Sequence, residues 1–327
     1  MKTPARPLLI GGLAMAMVVL AVLSLMAGRL WIPLSAWGDV ADPRWIIISE
    51  LRLPRTLLGV VVGAALGMSG AAMQGYTRNA LADPGVLGVS SMAAFGAVLT
   101  LHLGAGGAAD GVIAIGAMIG ALTGLGLLLA LSGSDTNTVT FVLAGVVINV
   151  LATAGISLAL NLAPSPWAMN QIVNWLMGSL ADRSFEELRF AAPLAIVGCG
   201  LLLTTGPSLD ALTLGETSAR SLGVDMAATR WRLALGVALA AGGGVAVTGV
   251  IGFVGLVVPH LLRPFVGSRP GALLVPSAIG GAVIVLLADV LVRIAPTPTE
   301  VKLSVAMAAL GAPFLFVLLL RLRRTMA

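Results

Sequence analysis

Residues 139–162 read VTFVLAGVVINVLATAGISLALNL, twenty-four positions without one charged side chain. A helix that crosses the hydrocarbon core of a bilayer needs about 20 predominantly apolar residues. This run supplies them and gives the bilayer nothing ionic to desolvate. The charge-free stretch extends from 136 to 181, and a second runs from 233 to 259. Across all 327 residues, 58% are hydrophobic and 10% charged, with a mean hydropathy of +1.03. Soluble domains carry about a quarter charged residues, so the composition excludes an ordinary soluble protein. Continuous apolar runs, rather than alternating segments of about ten residues, exclude a β-barrel. The fold class is an all-α polytopic membrane protein.

Hydropathy places ten spans near 8–28, 55–75, 86–103, 111–131, 139–162, 190–206, 231–251, 255–267, 271–293 and 304–320. They make one transmembrane domain over 1–327, with no room for a large soluble unit. The run from Pro7 to Gly28 behind Lys2 and Arg6 has the flavour of a signal peptide, but it outlasts an apolar signal core of about 7–15 residues and reads as a span. The segment 255–267 is short, follows Gly242, Gly243, Gly244 and Gly249, and contains Pro259. An even span number puts both termini on one side. With that side cytoplasmic, 11 of the 19 basic residues fall inside and 8 outside, which favours this orientation.

Glycine recurs every fourth residue at Gly59, Gly63 and Gly67 and again at Gly116, Gly120 and Gly124, lining one face of each helix. Such faces let backbones approach closely; packing within one subunit is the expected use, and a dimer face the alternative. The net charge of +5 comes from basic residues scattered at span ends, which lipid headgroups and topology explain without nucleic acid. A lone Cys199 builds neither an intrachain disulfide nor a thiolate metal site. With two histidines, His102 at a span end and His260, and no H-E-x-x-H, zinc protease chemistry is excluded.

A transporter needs an energy source. The only lysines, Lys2 and Lys302, lie in no G-x-x-x-x-G-K-[ST] loop, so ATP hydrolysis would come from another polypeptide and the chain itself is not an enzyme. Ion coupling usually places ionisable groups at membrane depth. Here Asp289 is four residues from Arg293 and reads as a pair near the outer surface. An intramembrane hydrolase would need Gly88-Val-Ser90 or Gly67-Met-Ser69 with His260 as base, matches that abundant glycine produces by chance.

One polar stretch interrupts the greasy chain. Residues 212–224, LTLGETSARSLGV, carry Thr213 and Glu216 at capping-box spacing and Gly223 as a left-handed stop, which predicts a helix of about two turns. Helices this short are marginal alone in water. This one needs a surface, either its own subunit or a partner.

Eight stretches in order resemble the FecCD-type permease subunits of ABC importers for iron chelates and vitamin B12. They are LRLPRTLLGVVVGAALGMSGAAMQG (51–75), RNALADPGVLGVSS (78–91), LAGVVIN (143–149), NWLMGSL (174–180), LGETSARSLGV (214–224), GVIGFVGLVVPHLLRPFVG (249–267), LLADVLVR (286–293) and LGAPFLFVLLLR (310–321). The resemblance implies a homodimer of ten-span subunits in the bacterial inner membrane, two cytosolic ATPase subunits that use ATP and magnesium, and a periplasmic substrate-binding protein; the chain itself binds no cofactor or metal. Within a cytoplasmic loop at 207–230 it implies ATPase coupling through Gly215, Glu216, Ala219, Arg220, Leu222 and Gly223. It assigns binding-protein docking to Arg52, Arg55 and Arg293, and an inner gate to Asn79, Leu81 and Thr138. Where the family reads E-x-P-x-G before its last span, this chain has Glu300-Val-Lys302-Leu-Ser304, and no role is carried to Glu300. Family substrates are ferric siderophores, haem and cobalamin; haem is the expectation here, with a siderophore next. Vitamin B12 import is the alternative, and an ion-coupled carrier the alternative from another class.

Overall fold

The computed structural model describes residues 5–28, 30–39, 42–104, 110–133, 138–267 and 269–326. Lys2 and Arg29, which enter the charge bias, lie outside the described residues. Among the described residues, thirteen helices follow in chain order. They are α1 (Ala5–Met26), α2 (Pro43–Thr77), α3 (Val89–His102), α4 (Asp110–Ser132), α5 (Thr138–Asn161), α6 (Pro166–Leu176), α7 (Phe185–Thr204), α8 (Gly206–Leu212), α9 (Glu216–Ser221), α10 (Met226–Thr248), α11 (Val254–Val266), α12 (Pro270–Ile294) and α13 (Leu303–Met326). Among the described residues, seven helices are long and apolar enough to cross a membrane, and α3, α11 and the first part of α13 are shorter apolar helices. Together they account for all ten expected spans.

The centre of the bundle is α2 crossing α12. On α2, Gly63 and Gly67 face Gly281 and Ser277 of α12 so closely that a Cβ on Gly63 would stand 2.5 Å from the Gly281 carbonyl oxygen and one on Gly67 would overlap that of Ser277. The second glycine series behaves alike: Gly116 and Gly120 of α4 lie against Gly96 and Met92 of α3. Both series therefore pack within one subunit. Without a hydrophobic drive between helices in lipid, close backbone approach is what holds such pairs.

Two helices too short to cross make sense through the loops before them. Thirteen residues of α11 rise about 20 Å, less than the roughly 30 Å hydrocarbon core. The backbone between Thr248 and Val254 supplies the rest of the depth, turning through positive φ at Gly249 and Phe253. Its entry is tied to the α6–α7 connection, where Ser179 N–H donates to Thr248 O at 2.7 Å. Likewise α3 follows a 3₁₀ turn at Pro84–Leu87, capped by Asp83 accepting from Gly85 N–H at 2.8 Å. Irregular backbone at depth survives only when other parts of the protein cover it.

Three elements differ from expectation. Helix α2 begins twelve residues before the expected span, with Asp42 as N-cap, Pro43 in its first turn and a π-turn at Ile47–Arg52. Helix α6 lies between two spans, capped by Ser165 on Ala168 N–H at 3.2 Å. Helix α7 starts at Phe185 because Ser184 and Glu187 form a capping box ahead of the apolar stretch.

Candidate functional site

The polar stretch does fold into a short helix, but not by the expected cap. Gly215, at φ 97°, is the N-cap, with no side-chain hydrogen bond. Thr213 instead donates its hydroxyl to Asp210 O at 2.7 Å, closing the end of α8. The capping box at 213–216 is thus corrected, and glycine is required at 215 because other residues are strained at such a φ. The stop at Gly223 is as expected. Val224 N–H reaches Ala219 O at 3.1 Å and Gly223 N–H reaches Arg220 O at 2.9 Å, the paired bonds of a Schellman motif.

The released Glu216 goes elsewhere. Its Oε1 accepts the backbone N–H of Thr138 at 2.8 Å and also the Thr138 hydroxyl. Thr138 is the first residue of α5, so a carboxylate from the foot caps another helix's positive end. Burial pulls the Glu216 carboxyl upward, but the Thr138 bonds and the charges of Arg220 and Arg78 outweigh it and hold the group below its ordinary range. Ala219 is fully buried on the underside of α9, while Leu214 and Leu222 are each 65% exposed and Arg220 is exposed. The foot is therefore anchored by Glu216 and Ala219 and presents two leucines and an arginine. Leu214 escaped the sequence reading, although an apolar residue in a polar loop was the available signal.

Of the three gate candidates, Asn79 and Leu81 form one turn after α2, where Asn79 Oδ1 accepts from Leu81 N–H at 2.9 Å. Both are exposed. Thr138, 8% exposed, lies at the start of α5 in the Glu216 junction. The foot-side ends of α2 and α5 meet through Tyr76 and Phe141, both buried, with ring centroids 5.6 Å apart edge to face.

At the opposite end, Arg52, Arg55 and Arg293 gather in one corner at 7%, 9% and 9% exposure. Arg52 donates to the carbonyls of Leu25, Met26 and Leu30 at 2.9, 2.8 and 2.6 Å, capping the end of α1. Arg55 grips Asp289 Oδ1 at 2.6 and 2.9 Å and Glu300 with both terminal nitrogens. Arg293 donates to Ser24 Oγ at 2.7 Å, and Ser24 meets Thr56 at 2.8 Å. The expected Asp289–Arg293 pair is present at 3.2 Å, as a charge contact out of line for a hydrogen bond. The three arginines, with Arg183, Asp182 and Glu300, line a cleft of about 240 Å³. Their guanidinium donors thus turn toward this chain's own groups rather than outward. Glu300 was missed because its partner is 245 residues away in sequence; nearby Ser304 is held by Met177 O.

No serine hydrolase is assembled between Ser69 and His260: Ser69 Oγ and His260 Nδ1 are buried without hydrogen-bond partners. His260 instead stands edge-on to Phe314, centroids 5.7 Å apart.

A bundle of apolar helices, locked by glycine crossings and tied at one face to a small folded foot, defines a multi-span membrane permease. The chain belongs to the FecCD transport family, which matches residues 16–321. It is 38% identical over 302 residues to the vitamin B12 import system permease protein BtuC of Vibrio cholerae, spanning 92% of this chain and 90% of that one. It is also 38% identical over 326 residues to the hemin transport system permease protein HmuU of Yersinia pestis, spanning 97% and 96%. Among solved structures it resembles an inward-facing metal-chelate type ABC transporter, with a TM-score of 0.88, 32% identity, and 96% and 99% of the two chains covered.

Proposed function

We propose that the whole chain acts as one permease domain, paired with a second copy in the bacterial inner membrane, in an importer powered by two separate cytosolic ATPase subunits and supplied by a periplasmic binding protein. Both termini are then cytoplasmic, as is the loop 207–230. The cargo is an iron complex, haem first and a ferric siderophore next. A vitamin B12 complex is the second reading, because the relatives named for hemin and for vitamin B12 are equally identical to this chain.

The observation that carries this reading is the Glu216–Thr138 junction. A foot that offers Leu214, Arg220 and Leu222 outward and holds the end of α5 inward is built to pass on a displacement. Closure of the ATPases would push α9 together with the start of α5, shifting the bundle between two packings. Gly215 and Gly223 fix the shape of the foot, and Asn79 and Leu81 stand in the turn that closes the inner mouth. On the outer side, a binding-protein carboxylate would reach Arg55 by exchanging with Glu300, while Arg52 and Arg293 hold the corner in shape.

Reconstitution with a partner ATPase and a periplasmic binding protein tests the reading. Uptake should require ATP and all components, and Arg220→Glu should leave ATP hydrolysis running while uptake falls. Uphill transport by the purified chain alone, under a proton or sodium gradient, would show an ion-driven carrier instead. The ligand that co-purifies with the binding protein decides the cargo.

A further inference from the structure

On the same face as the foot, the ends of α2, α11 and α12 enclose a cleft of about 260 Å³ lined by Arg78, Arg263 and Arg269, with Gln74 and Thr213 in its wall. Among the described residues, no carboxylate lines it and none forms an ion pair with any of the three arginines. The nearby acids make their close bonds elsewhere: Asp210 Oδ1 accepts from Gly271 N–H at 2.8 Å, and Glu216 bonds Thr138 while the Arg78 charge acts on it without an ion-pair contact.

The cleft is constructed rather than incidental. Gln74, 1% exposed, donates to Leu256 O at 3.1 Å and accepts from Arg263 Nη2 at 2.8 Å, so a buried amide fixes one guanidinium in the wall. Arg263 Nε is buried without an acceptor, a donor that the fold leaves unsatisfied. Arg78 sits in a left-handed turn at φ 52° that carries the chain away from α2 beside the cleft, and Arg269 is the N-cap of α12. Three guanidinium groups of one sign thus share a cleft whose lining offers no carboxylate to pair them.

We propose that this cleft binds a phosphate group. Arginine forks match phosphate oxygens through paired charge-assisted bonds, and a tetrahedral anion accepts them from several directions. The three apolar helices have their ends at this cleft on the foot-bearing face, and the ends of spans are where headgroups are met, so the group comes from an anionic phospholipid of the inner leaflet or from inorganic phosphate in solution. The inference rests on the permease reading only for naming this face cytoplasmic.

The test uses the full-length chain, with and without its ATPase. Native mass spectrometry would compare retention of phosphatidylglycerol and phosphatidylcholine, and thermal melting would compare inorganic phosphate with chloride at equal ionic strength. Selective retention of phosphatidylglycerol, reduced about tenfold or more by Arg263→Gln and by Arg269→Gln, identifies the lipid source. Selective stabilisation by inorganic phosphate, lost in the same variants, identifies the free anion. Arg269 is exposed, so Arg269→Gln alone remains decisive if the Arg263 variant misfolds. Equal binding by wild type and variants overturns the proposal, as does binding of neither probe. So does loss of ATPase assembly in the variants without loss of either anion, which would assign the cleft to ATPase acids. Each of these results stands whether or not ATP-driven uptake is found.

Discussion

Two residue pairs share one spacing and take opposite roles. Ser184 and Glu187 form the capping box that their sequence advertises, whereas Thr213 and Glu216 do not. The difference lies in what stands nearby. Asp210 O takes the Thr213 hydroxyl, Gly215 turns the chain, and Thr138 offers Glu216 a helix amide and a hydroxyl. Local pattern revealed the short helix and its Gly223 stop, but a contact across 78 residues could not be read from it. The junction predicts that Glu216→Ala and Thr138→Val each lower uptake per ATP hydrolysed. In a double-mutant cycle the pair should fall short of additivity by about 1 kcal/mol or more; strictly additive losses would separate the two residues. The junction also has a pH signature. Because the docked carboxyl titrates lower than a free one, its contribution is full above the ordinary carboxylate range and fades as pH falls through the docked value. Coupling should therefore be flat from about pH 6 to 8 and weaken only in acid, with Glu216→Gln removing that acid limb. Transport stoichiometry measured across pH checks this.

At the scale of elements, the glycine periodicity correctly placed two helix faces inside the subunit, because a face without side chains has few uses other than close packing. Gly67→Val should lower melting stability by about 1–3 kcal/mol or more, since its Cβ meets the Ser277 carbonyl and backbone cannot yield as a side chain can. Gly126, whose added Cβ meets nothing within 4 Å, is the control, and its alanine variant should be neutral or slightly stabilising. The arginine corner gives a similar graded comparison. Asp289→Asn leaves Arg55 and Arg293 short of a buried partner and should cost about 3–5 kcal/mol. Glu300→Gln should cost much less, because its side chain is 34% exposed. Equal melting shifts for the two variants would show that burial does not set the strength of this network. Helix α6 was open to prediction through Ser165-Pro166, an N-cap followed by proline at the first helical position. Its modest length and polar residues kept it out of a hydropathy scan.

In the molecule as a whole, rigidity and freedom are divided. The α2–α12 crossing is backbone against backbone, whereas α5 leaves most of its surface uncovered, packs on one side through Gly145 and Asn149, and is held at its foot-side end by Glu216 and the Tyr76–Phe141 contact. Spin labels near Thr77 and Leu273 should therefore keep their separation through the ATP cycle, while a label at Val139 moves relative to both. Double electron–electron resonance distances would decide, and sliding of α2 against α12 would refute this division.

The arginine corner also sets a schedule for biogenesis. Arg55 leaves the ribosome 234 residues before Asp289 and 245 before Glu300, a delay of roughly ten to fifty seconds at about 5–20 residues per second. Throughout that interval the nascent chain carries an unneutralised cation at the top of its second span. A polypeptide cut short before its last two helices lacks both carboxylates that quench this charge in the finished fold.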